Sequence, residues 1–164
     1  MISEENRKKA EAIAVEARNS ISSYCINDCH AYCCRKGYLV VNKEDIDTVT
    51  QGKKEELIEK GQLEENKQGK MALFLGATEK GCPSLKDNMC TIYEDGHRPK
   101  VCGDFPLFLE KDHVRESPRC LAVKNNLLYP YVKQITMLGF KPMQADEFAD
   151  IELFNVKLIN KKDN

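Results

Sequence analysis

The stretch Cys25-Ile26-Asn27-Asp28-Cys29-His30-Ala31-Tyr32-Cys33-Cys34 constrains this chain more than any other. It holds four of the eight cysteines within ten residues. Cys82, Cys90, Cys102 and Cys120 follow at wide spacings. A chain of 164 residues can build an apolar core without staples, since the need for disulfides or metals is sharpest below about 40 residues. The thiols therefore require a reason of their own. The N-terminus, Met-Ile-Ser-Glu-Glu-Asn-Arg-Lys-Lys, is charged and lacks the apolar core of a secretory signal. The expected location is cytoplasmic, where thiols stay reduced. Clustered cysteines there read as metal ligands or catalytic thiols before they read as disulfides. A disulfide framework in a secreted protein is the competing reading, and no sequence signal supports it.

Cys25, Cys29 and Cys33 are spaced i, i+4, i+8. On a helix, residues four apart have Cβ atoms roughly 5–6 Å apart, so adjacent pairs can share one ion; a looped knuckle serves equally. Consecutive side chains do not face each other on a helix or a strand. Cys33 and Cys34 therefore suit two different metals, or two parts of one multinuclear cluster. Eight thiols match two four-coordinate sites, and one site with spare thiols stays open. The bland alternative is that one or two cysteines, Cys120 or Cys34 first, are small core residues.

Composition narrows the function. With 25 basic and 26 acidic residues the net charge is −1, which gives no electrostatic footprint for nucleic acid or an anionic membrane. No apolar run approaches the roughly 20 residues of a membrane span. No Ser-His-Asp set, Walker loop, His-Glu-x-x-His helix or Gly-rich dinucleotide fingerprint appears.

Along the chain, Ser3 caps an amphipathic helix over residues 3–24, with Ala10, Ile13, Ala14, Ala17, Ile21 and Tyr24 at helical spacing. It runs directly into Cys25. Tyr38–Val41 reads as a strand, and Asn42 as the cap of a helix carrying Ile46 and Val49. Lys53–Lys60 is a short helix, Gln62–Gly69 a solvated loop and Lys70–Leu75 a strand. Cys82–Leu85 and Met89–Tyr93 form a hairpin with a cysteine on each arm. Pro99 opens a short helix toward Cys102. Phe105–Leu109 and Val114 flank a turn at Glu110–His113. Ser117-Pro118 starts a helix with Cys120 in its first turn, where the helix dipole favours an easy thiolate. Pro130 begins another helix that stops at Gly139. Ala145–Ile159 is ambiguous between helix and strand.

These motifs resemble the bacterial and archaeal CxxCxxCC cysteine-cluster family, described as chelating zinc or iron. The resemblance rests on a cysteine run ending in Cys33-Cys34, then Lys43-Glu44-Asp45-Ile46, Cys82-Pro83, Cys90-Thr91-Ile92-Tyr93, Arg98-Pro99-Lys100-Val101-Cys102 and Phe105-Pro106. It covers roughly Cys25 to Cys120. There are departures: three residues rather than two separate the opening cysteines, four residues (Glu94–His97) separate Tyr93 from Arg98, and Gly103 stands where the family often has Arg. The resemblance implies metal chelation without an established reaction. A relative of the family, the flagellin lysine N-methylase, carries a similar cysteine pattern and keeps methyl transfer in view.

The expectation is a single α+β domain over 1–164, small and mainly helical with short β-hairpins and stapled by a cysteine-rich metal centre. Its cysteine core spans 25–120, flanked by an N-terminal helix at 3–24 and a C-terminal helical region at 118–159. The candidate ligands are Cys25, Cys29, Cys33, Cys34, Cys82, Cys90, Cys102 and Cys120. The metal is zinc, or alternatively iron or an iron–sulfur cluster. The expected function is metal binding, with a protein partner possible and neither nucleic acid nor membrane expected. The alternative is an iron–sulfur-dependent redox or group-transfer enzyme of methyltransferase type. His30, His97 and His113 are weighed as ligands but read as surface residues or supports for the ligands. Asp28 and Asp104 are read as solvated. Arg98 either offsets thiolate charge or is a turn residue before a proline.

Overall fold

The structure is a computed structural model that describes residues 1–76 and 81–143. The chain is α+β. Its helices are α1 (Glu4–Ser20), α2 (Ser22–Asn27), α3 (Ile46–Thr50), α4 (Lys54–Glu59), α5 (Lys100–Asp104), α6 (Leu121–Lys124) and α7 (Tyr129–Met137). Its strands are β1 (Tyr38–Val41), β2 (Leu63–Glu65), β3 (Met71–Phe74), β4 (Leu85–Lys86), β5 (Met89–Cys90), β6 (Leu107–Glu110), β7 (His113–Glu116) and β8 (Lys141–Met143). Two compact units emerge. Described residues 1–30 and 104–143 form one, and 31–76 with 81–103 form the other.

In the first unit, Ser3 caps α1 by accepting the Asn6 N–H at 3.1 Å, and Glu4 and Glu5 occupy the positive end of the helix. Ala10, Ala14 and Ala17 are buried. Their small side chains let α1 pack closely on α7 and β6. Arg18 ties the end of α1 to the segment leading into β6, donating from Nη2 to the Leu107 carbonyl at 2.6 Å and from Nε to the Asp104 carbonyl at 2.9 Å. The helix expected over 3–24 is divided. It ends at Ser20, and α2 restarts after Ile21, whose φ and ψ are −99° and 5°. The core gathers the α1 alanines with Ile21, Leu107, Val114, Cys120, Ala122, Leu128, Ile135 and Phe140. β6 and β7 pair antiparallel, and β8 adds parallel to β7.

The helix expected from Ser117-Pro118 starts later. Cys120 is the N-cap residue of α6, in extended backbone, while Ser117 closes the preceding turn through its carbonyl to the Cys120 N–H at 3.2 Å. Pro130 sits in the first turn of α7 as expected, and Gly139, at φ 104°, follows its end. Ala145–Ile159, and with it the end of the 118–159 region from residue 144 on, lies outside the described residues.

The second unit centres on an antiparallel sheet of order β1-β3-β2. Ile46, Val49 and Thr50 of α3 and Leu57 of α4 are buried beside Val41, Leu63, Met71 and Leu73. The Gln62–Gly69 segment is not simply a loop. Leu63–Glu65 pairs with β3 and Leu63 is buried. One buried residue in a three-residue strand leaves no hydrophobic period in the sequence; the pairing comes from β3, whose residues Met71–Leu73 are all buried. β4 and β5 make a hairpin whose turn residues, Asp87 and Asn88, both have positive φ. That geometry matches the right-handed twist of paired strands and is tolerated by Asp and Asn.

Candidate metal centre

All eight cysteines lie within the described residues, and none is joined in a disulfide. In the second unit, four separate segments bring Cys34, Cys82, Cys90 and Cys102 into one neighbourhood. Cys34 ends a 3-10 turn at Tyr32–Cys34. The Cys82 N–H donates to the Cys34 carbonyl at 2.8 Å, so the two chain segments lie side by side. Gly81 is what permits this approach. A Cβ there would fall 2.6 Å from the Cys34 carbonyl oxygen and 2.6 Å from the Arg35 Cγ, and its φ is +73°. Any residue with a side chain would meet backbone and also be strained.

Cys90 sits in β5 opposite Leu85. Ser84 fastens this hairpin to α3 by donating from Oγ to the Val49 carbonyl at 2.6 Å. Thr91 donates to the Ser84 carbonyl from both its N–H, at 2.8 Å, and its hydroxyl, at 2.7 Å. Cys102 lies in α5, and its N–H donates to the Pro99 carbonyl at 3.0 Å. The sulfurs of this set come from a turn, a loop, a strand and a helix. No local periodicity announces such a set.

Burial pushes the Cys82 thiol up to about 12 and the Cys102 thiol up to about 12. For Cys82, hydrogen bonding from Ser84 opposes burial, while the neighbouring Cys34 and Cys90 reinforce it through thiolate repulsion. Cys102 is disfavoured as a thiolate by Cys34, Cys82 and Cys90 and favoured by the Arg98 charge. Mutual repulsion means that these four thiols share one field. A cation placed among them would reverse its sign, because opposite charge favours the thiolate. Among the described residues, no group of three or more Cys, His, Asp or Glu side chains is already arranged to hold a metal ion.

In the first unit, Cys25 packs against the apolar core that contains Cys120. The Cys29 Sγ lies 3.6 Å from the Cys25 carbonyl, one helical turn back. Cys120 is buried and Cys29 lies near enough to repel its thiolate. The expectation of an easy Cys120 thiolate at a helix start is overturned. Burial raises its pKa, outweighing the N–H groups of Val123 and Ala122 that favour the anion. The helix start is present, but α6 spans only Leu121–Lys124 and Cys120 lies in apolar surroundings. Cys33 and Cys34 are half-buried.

His30 and His97 are exposed. His97 donates its backbone N–H to Asp95 Oδ1 at 2.8 Å, and His113 Nδ1 lies 2.7 Å from Asp112 Oδ1. Asp28 is exposed, whereas Asp104 is not merely solvated and lies 3.7 Å from the Arg18 guanidinium. Sequence reasoning missed Gly81 and Ser84. A glycine directly before Cys-Pro is a turn signal that pointed to the first. Nothing local pointed to the second, whose acceptor lies 35 residues away.

The family comparison agrees with this chemistry. The model of the CxxCxxCC family, described as a "Putative zinc- or iron-chelating domain", matches residues 24–124 and so takes in all eight cysteines. The chain belongs to that family. Neither a curated protein nor a solved structure matches it. No helix among the described residues is long and apolar enough to cross a membrane.

Proposed function

We propose that this chain is a metal-binding protein whose principal centre is the set Cys34, Cys82, Cys90 and Cys102, holding zinc or, alternatively, iron or an iron–sulfur cluster. The observation that carries the reading is the joining of Cys82 to the Cys34 backbone over Gly81, with Cys90 and Cys102 in the same field. The donor chemistry fits: four soft thiolates suit zinc and iron–sulfur clusters over hard cations. When bound, the metal stabilises the thiolates and cross-links four segments that have little regular structure of their own. A four-thiolate zinc site of this kind is closed and structural, which favours an organising role, with a protein interaction surface, over catalysis. At a site of this kind metal binding and local folding are one event.

Cys25, Cys29 and Cys120 are proposed as a second group, supported by their shared neighbourhood in the other unit. Cys33 stays among the candidate ligands. A reducing compartment, the cytoplasm, suits eight cysteines outside any disulfide.

The test is metal and acid-labile sulfide content, with an absorption spectrum, on protein purified without oxygen. About one or two zinc per chain with no visible absorption is the expected result. Iron with matching sulfide and a brown chromophore moves the centre to an iron–sulfur cluster. A fully folded, metal-free protein that takes up neither metal overturns the reading.

A further inference from the structure

Arg98 stands beside the four-thiol set with its bonding incomplete. Its guanidinium carbon lies 4.4 Å from the centroid of the Tyr93 ring, and Nη2 donates to the Cys102 carbonyl at 3.2 Å. Nε is buried and finds no acceptor among the described residues. Leaving a buried N–H unmade is costly, more so on a charged group. A turn residue before proline needs no guanidinium: the backbone alone closes this turn, through the Arg98 N–H to the Asp95 carbonyl at 3.0 Å. The adjacent Pro99 is fully buried and fixes the position from which the side chain departs.

Four thiolates on a divalent ion leave an excess of two negative charges, and that excess needs an opposite charge or donors nearby. The geometry points to Arg98 as the positioning residue that supplies both. Its charge offsets the thiolates, and its Nε–H completes its bonding on one of their sulfurs. The Tyr93 stack and the Cys102 carbonyl hold the planar group in a fixed orientation, which a lysine cannot reproduce. The inference rests on the metal-binding reading above.

The test uses the full chain, stripped of metal under reducing conditions, with zinc and cobalt(II) as probes. Zinc affinity is measured by competition with a chromophoric chelator, the cobalt charge-transfer band by absorption, and apo stability by thermal unfolding. R98M is expected to bind zinc about 10- to 100-fold more weakly and to shift the cobalt band, with its apo melting temperature held or raised because the orphaned N–H is gone. R98K is expected to recover part of the affinity without restoring the band position. If R98M binds zinc as tightly as wild type, Arg98 has no such role. A loss of affinity that only tracks apo stability, with no recovery in R98K, overturns it as well. Should R98M not fold, R98K decides, and wild-type affinity with an unmoved cobalt band rejects the Nε–H role. A wild-type chain that binds no zinc or cobalt removes the metal reading and this inference together; wild-type binding with unaffected variants removes this inference alone.

Discussion

Cys120 and Cys82 are both thiols whose pKa burial has raised, yet they live in different kinds of structure. Cys120 is 4% exposed in a core of alanines, leucines and isoleucine supplied by a 17-residue helix, a nine-residue helix and a strand pair. Remove its sulfur and that core still has its other members. Cys82, Cys90 and Cys102 lie on residues 81–103, whose regular structure is two strands of two residues and one helix of five. Two-stranded pieces of this length are marginal by themselves. The difference teaches where a metal would matter under the proposed reading: one unit stands on apolar burial, whereas the thiol-bearing segment of the other has little regular structure and would gain order from what its thiols bind.

Metal removal is the largest expected perturbation, since structural zinc contributes on the order of 10 kcal/mol of apparent binding energy. Hydrogen exchange with and without a strong chelator should show residues 81–103 losing protection while α1, α7 and the β6–β7 pair keep theirs. Equal loss in both places would break the comparison, because the apolar unit would then depend on metal as heavily as the loops.

The converse perturbation is Leu128→Ala. Leu128 is fully buried in the core that holds Cys120. The cavity should destabilise that unit by about 2–5 kcal/mol, read by chemical denaturation followed at α1. Zinc stoichiometry at the four-thiol set should be unchanged. A variant that loses zinc in proportion to stability would show that the two kinds of structure are not separable.

Gly81→Ala sharpens the contrast from the loop side. The methyl group would meet the Cys34 carbonyl and the Arg35 side chain and would sit at a φ that L-residues resist. The expected loss is about 1–3 kcal/mol, seen as weaker zinc binding with little change in the α1–α7 core. Gly52 also has positive φ but open space around its Cβ position, so Gly52→Ala serves as the control for backbone strain without the clash.

What the sequence revealed divides along the same line. Ser3, the alanine stripe, Tyr38–Val41, the hairpin between Cys82–Leu85 and Met89–Tyr93, and Pro130 were legible because each acts locally, through a cap, a period or a dihedral preference. The candidate ligands were legible as a residue type, but their grouping was not. The i, i+4, i+8 spacing drew attention to Cys25, Cys29 and Cys33, whereas the four-thiol neighbourhood takes one member, Cys34, from that run and three from positions 48 to 68 residues later. Such grouping is set by tertiary approach, here the Gly81 passage over Cys34 and the Ser84 tie to Val49. The strand at Leu63 was hidden for the same reason, because its partner lies across a turn. Cys120 failed in another way. The local rule for a helix start was sound, and burial, a property of the whole fold, outweighed it.

The smallest expected effect tests how independent the apolar unit is. Ser3→Ala removes the oxygen that accepts the Asn6 N–H and leaves α1 without a side-chain cap. Loss of such a cap costs about 1 kcal/mol. The site is exposed, so no cavity or buried charge complicates the change. Thermal unfolding of the metal-loaded protein should show the shift if α1 unfolds cooperatively with the unit that it packs. Zinc affinity at the four-thiol set should stay at the wild-type value, because that set draws its thiols from segments after Ala31 and none from α1. A cap deletion that weakens zinc binding by tenfold, roughly 1.4 kcal/mol, would mean that a loss at least as large as the cap's own had reached the thiol loops, which independent stabilisation of the two does not allow.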